Sequence, residues 1–196
     1  MTFRLMACGM AVGLALGLSA CGGGTAQQAN SAAAEQPATA PAAGSETVRG
    51  ELISDWQGQK DMMVKIADAM PENKFGFKAT SAERSYGEQI MHIALVNVDL
   101  LKVVGGKAAA PTFTADSAKT KADILKALGD SYDYGTALLN EQTGATIVDT
   151  VDAAFLGKST RARVFGTLLA HSMDIYGQMA VYLRLNGIVP PASRGV

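Results

Sequence analysis

Apolar residues recur along most of this chain at the three- and four-residue spacing of amphipathic helices, and no segment shows the sustained alternation of a strand. A first helix starting near Thr47 carries Leu52, Ile53, Trp56, Met63, Val64, Ala67 and Met70 along one side and is closed by Pro71. A second begins after Thr80-Ser81 and runs to Val104, where Gly105-Gly106 stop it. A third starts around Asp116-Ser117 and continues to about Glu141, weakened in helix propensity by Gly129 and Gly135. The fourth opens near Ser159-Thr160 and ends at Asn186-Gly187, with Pro190-Pro191 barring continuation. The stretch from Thr143 to Gly157 is the least regular, with room for a short turn of helix around Asp149 to Ala154. Four such helices bury their stripes against one another, so the pattern predicts an all-α domain, an up-down four-helix bundle, over residues 47–196.

The first part of the chain lies outside that pattern. Arg4 precedes an apolar run from Leu5 to Leu18, the length of a signal-peptide core and short for a permanent membrane span. It ends in Leu18-Ser19-Ala20-Cys21, which resembles a bacterial lipobox, where small residues fit the signal peptidase and the cysteine thiol accepts diacylglycerol. Residues 1–20 therefore read as a lipoprotein signal peptide, and Cys21 as the lipidated N-terminus of an exported, membrane-anchored protein. Gly22 rather than Asp follows the cysteine, which in a Gram-negative cell favours the periplasmic side of the outer membrane. Residues 21–46 read as a tether of Ala, Gln, Thr, Ser, Gly and Pro that is too poor in apolar side chains to fold. At this composition its root-mean-square reach is roughly 28 Å.

Composition then narrows the chemistry. At 196 residues, 48% of them hydrophobic, the chain suffices for one domain with its own core. The net charge of −1, with no run of Lys or Arg, argues against nucleic acid as a partner. Cys8 and Cys21 are the two cysteines, so the predicted bundle contains neither a disulfide nor a thiolate. Gly22-Gly23-Gly24 sits in the tether and Gly105-Gly106 ends a helix, so neither is a phosphate loop, and two histidines support no Ser-His-Asp set.

Those two histidines, His92 and His171, are the candidates for a site. On the second helix Glu88 lies one turn before His92, a spacing that serves a metal-ligand pair, a carboxylate orienting an imidazole, or a plain polar line facing water. On the fourth helix Val164, Leu168, Ile175, Gln178 and Tyr182 fall within about 60° of His171, and Met179 within about 80°. A histidine inside an apolar stripe needs a hydrogen bond or a ligand, because an unpaired buried imidazole is costly.

The run Met70-Pro71-Glu72-Asn73-Lys74-Phe75-Gly76-Phe77-Lys78, the block from Glu83 to Ala94, and the segment from His171 to Pro191 with Tyr176-Gly177-Gln178 resemble the DinB superfamily. The resemblance spans Thr47 to Arg194 and implies a four-helix bundle built around a three-histidine metal site. His92 matches the first ligand and His171 the second, while the third position, one turn further on, is Ile175. Asp174 is the nearby carboxylate that could replace it, with Glu88 as a second-shell group or base. The implied cofactor is a divalent metal (zinc, nickel or iron), and the implied activity is a metal-dependent hydrolase or a thiol transferase acting on a small-molecule substrate. Loss of the metal implies instead a non-catalytic module that binds a small molecule or a partner. Members of the family often pair, so a homodimer is the expected assembly.

Overall fold

The computed structural model describes residues 43–195. The signal peptide, Cys21 and most of the tether lie outside the described residues. The helices are α1 (Ala43–Asp68), α2 (Tyr86–Leu101), α3 (Lys121–Glu141), the single turn α4 (Gly144–Ile147) and α5 (Arg161–Leu185). A small antiparallel ribbon pairs β1 (Thr150–Asp152) with β2 (Lys158–Thr160). The all-α expectation holds for the body of the domain.

Helix boundaries follow the side chains that satisfy first-turn amides, not the first polar residue in reach. Ser85 caps α2 and Thr120 caps α3, each in a reciprocal box with the residue three positions on, Glu88 and Asp123. The expected starts at Thr80-Ser81 and Asp116-Ser117 come too early. Ser117 Oγ instead accepts from the amide of Thr114, closing a separate turn. Helix α1 also takes in the last residues expected in the tether. Residues 43–46 form the first turn of α1, and Glu46 Oε1 accepts from the amide of Gly144 at 2.7 Å. The turn of helix expected around Asp149 to Ala154 is split to either side of it, as α4 and as a 3-10 turn at Ala154–Leu156. Thr150, Val151 and Asp152 pair with Thr160, Ser159 and Lys158. Strands of three residues are too short to show alternation.

The bundle refines the up-down expectation. Helix α1 packs on α3 and α5, and α2 packs on the same two, so α1/α2 and α3/α5 occupy the diagonals. Trp56 meets Tyr132 while Asp68 pairs with Lys121, which makes α1 and α3 antiparallel. Gly87 meets Ile124 and Asn97 meets Ser131, so α2 and α3 are parallel. Contacts of Tyr86 with Tyr182 and of His92 with His171 make α2 and α5 antiparallel. The order is therefore up, down, down, up. Its connections must cross a bundle end or run back along its length, and this is why they are long and structured. Two tyrosines span the diagonals through the core: Tyr86 Oη donates to the carbonyl of Ile66, and Tyr132 Oη hydrogen-bonds Ser172 Oγ at 2.7 Å.

Candidate functional site

The crossover from α1 to α2 lays residues 69–85 beside the α2/α5 seam. Lys121 Nζ donates to the carbonyls of Asp68 (2.6 Å) and Met70 (3.1 Å), pinning the start of that loop. The amides of Tyr86 and Gly87 donate back to the carbonyls of Phe77 and Phe75, both at 2.9 Å, fixing its end. Tyr182 Oη, on α5, donates to the carbonyl of Arg84 at 2.7 Å. The loop is thus tied to three helices, and Arg84 is held at the mouth of the seam.

His92 and His171 face each other across that seam. Their ring centroids are 5.1 Å apart and their planes stand at 88°, an edge-to-face contact. Neither imidazole hydrogen-bonds to another described residue, and His171 Nε2 is buried without a partner. Burial pushes the pKa of both rings down; the Arg84 charge adds to this at each, and Asp174 opposes it at His171. Both are therefore neutral imidazoles at neutral pH, each with a free nitrogen lone pair.

The other expected residues go elsewhere. Asp174 is exposed, and its Oδ2 accepts from Gln178 Nε2 at 3.1 Å. Gln178 Oε1 in turn accepts from Gln89 Nε2 at 2.7 Å, a polar link between α5 and α2. Glu88 closes the capping box of α2, its Oε2 accepting from the Ser85 amide at 2.6 Å, and lies 3.6 Å from Lys78 Nζ. Those hydrogen bonds from Ser85 hold its carboxyl below the usual range. Ile175 is 3% exposed and packs in the core. Among the described residues no group of three His, Cys, Asp or Glu side chains is disposed to hold a metal. The donor set comprises two imidazoles and stops there, which does not fit a three-histidine ion site. Ser172 is committed to Tyr132, and Ser85 to its cap.

His92 also forms part of the wall of a cleft of about 670 Å³. The floor is apolar, with Phe75, Met91, Leu95 and Ile124, and the rim carries Lys78 and Arg84. Periodicity could not find Arg84 or Phe75, because both sit in the crossover loop, and it gave Gln89 no role because its partner lies on another helix.

The family model of the DinB superfamily matches residues 56–179, which take in α2 and α3, most of α5, the latter half of α1 and both histidines. The chain belongs to the DinB superfamily. Two solved structures share this DinB fold. A DinB-like protein from Bacillus cereus is 19% identical, with a TM-score of 0.62 over 72% of this chain and 95% of that one. The DinB-like protein YjoA from Bacillus subtilis is 18% identical, with a TM-score of 0.58 over 74% of this chain and 99% of that one. No curated protein matches.

Proposed function

We propose that this DinB-superfamily chain is an exported, lipid-anchored binding module that takes a small molecule in the cleft beside His92, its metal site altered from the family pattern. The observation that carries the reading is the pair of neutral imidazoles, His92 and His171, which meet edge to face with no third donor, Ile175 filling the core where one would stand. A cleft of this size suits a small organic ligand. A second reading keeps the metal: a hydrolase or thiol transferase in which His92 and His171 hold zinc, nickel or iron and Asp174 turns inward as third ligand, with Glu88 as a supporting base. The unpartnered, buried Nε2 of His171 favours it, since a lone pair left in the interior is what an ion would use. When bound, such an ion would polarise a substrate oxygen or lower the pKa of a water or thiol.

Metal analysis of the purified full-length protein separates the two. After dialysis against a mild chelator, the binding-module reading expects far less than one ion of zinc, nickel or iron per chain. Near-stoichiometric metal that is lost in Asp174→Ala would establish the metal-dependent reading in its place.

The anchor rests on Leu18-Ser19-Ala20-Cys21 and the apolar run before it. Among the described residues no helix is long and apolar enough to cross a membrane. Metabolic labelling with a fatty acid should mark the native chain and leave Cys21→Ser unlabelled. Label retained by Cys21→Ser would refute lipidation at that residue.

A further inference from the structure

We propose that the cleft beside His92 is a site for a small organic acid, Arg84 holding its carboxylate and Phe75, Met91, Leu95 and Ile124 its apolar body; this rests on the binding-module reading above. The charges of the rim lead there. Lys78 lies 3.6 Å from Glu88, and Lys119, further round the cleft, lies 3.8 Å from Asp116. Arg84 takes part in no ion pair with the described residues, and its neighbour Glu83 accepts from the amide of Thr80. Among the described residues, Arg84 is therefore the cationic side chain of the cleft that stands outside any ion pair. Its charge acts on both His92 and His171.

The amides at the start of α2 offer an anion nothing more. Those of Tyr86 and Gly87 are spent on the loop, and those of Glu88 and Gln89 on Ser85. One guanidinium, in the same cleft as the His92 imidazole, matches the two oxygens of a single carboxylate better than the higher charge of a phosphate. The guanidinium presents a planar fork of donors, and no carboxylate of the described residues forms an ion pair with it. Opposite this polar end the wall is already packed. A Cβ at Gly87 would stand 3.1 Å from Ile124 Cδ1 and 3.3 Å from Phe75 Cδ1, so the floor is set before any ligand arrives. Polar head at Arg84 and apolar floor beyond it describe an amphipathic acid.

The test uses full-length protein in lipid nanodiscs, with protein-free nanodiscs as the blank, and fluorine NMR of three probes that share one ring: para-fluorophenylacetate, para-fluorophenethyl alcohol and para-fluorophenethylamine. The acid is expected to bind about tenfold more tightly than the alcohol, the scale of one charge-assisted hydrogen bond. Arg84→Gln should bring the acid down to the level of the alcohol and leave the alcohol unchanged, while Lys119→Gln, whose cation already has Asp116, should leave both unchanged. Leu95→Asn, which adds polarity to the floor without charge, should weaken acid and alcohol alike. Arg84 is exposed, so its replacement leaves the core intact. Equal binding of acid and alcohol, a preference that survives Arg84→Gln, tightest binding of the amine, or binding of none of the three overturns the proposal. The metal analysis above judges the binding-module reading independently. Should the alcohol bind as well as the acid to a metal-free chain, the organic-acid assignment fails and the module stands.

Discussion

Trp56→Ala is expected to cost about 3–5 kcal/mol of folding stability, the range for emptying a large aromatic site in a core. The side chain is fully buried at the centre of the bundle, 4.9 Å from the Tyr132 ring and 5.3 Å from the Phe165 ring. Its Nε1 donates to the carbonyl of Tyr132 at 2.8 Å. A companion substitution, Gly135→Ala, decides why that glycine is there. By helix propensity alone, alanine should stabilise an interior position by about 1 kcal/mol. In the folded bundle, however, a Cβ at residue 135 would lie 2.4 to 2.7 Å from three atoms of the Trp56 indole. The ring is boxed in by Tyr132 and Phe165 and hydrogen-bonded through Nε1, itself one of those three atoms, so it cannot swing aside without losing those contacts. Overpacking of this kind costs roughly 1–3 kcal/mol, enough to cancel or reverse the propensity gain. Urea denaturation followed by circular dichroism measures both variants. A Gly135→Ala protein more stable than the native chain by the full propensity increment would show that the indole yields and that the close approach is not a constraint.

Ile175→His is expected to change metal binding by a larger factor than any other single substitution. It puts an imidazole one turn beyond His171, on the same helical face, and with His92 supplies a third nitrogen donor. The substituted protein should retain close to one zinc or nickel per chain after chelator dialysis, where the native chain should not. The metal-free form should be less stable by about 1–3 kcal/mol, because a buried apolar side chain gives way to a polar one. Metal should recover part of that loss by binding only the folded state. Calorimetric titration of native, Ile175→His and Ile175→His/His92→Ala proteins checks each step. Unchanged, weak binding by Ile175→His would mean that the His92 and His171 lone pairs do not converge.

Periodicity carried the argument as far as four helices and an apolar stripe through His171, because those are properties of one helix at a time. Gly187 ends α5 at a positive φ of 72°, a conformation that favours glycine, so that stop was visible in the chain itself. Helix starts were harder. Ser81, Ser85 and Ser117 are alike as sequence, and only Ser85 among them has a first-turn amide three residues on to satisfy in the folded chain. Residues 43–46 illustrate the same limit. Their composition suits a tether, and it is the tertiary partner of Glu46, the amide of Gly144, that helps to hold them in a helix.

The family resemblance and the inward placement of the two histidines were written in the local sequence, since both depend on short blocks and on helical phase. What surrounds the histidines was decided in three dimensions. Asp174 stands close to His171 in sequence, yet Gln178, on the next turn, holds its carboxylate on the solvent side. Glu88 shares a helical line with His92, yet the unsatisfied amide of Ser85 claims it first. Arg84 belongs to no periodic pattern and shares a cleft with His92 because α1 and α2 lie on a diagonal, which sends their connecting loop past the α2/α5 seam. Helical phase fixes a direction for each side chain about its own axis. Which partner that direction meets depends on the order and sense of the packed helices, and these are set by how four apolar stripes close together.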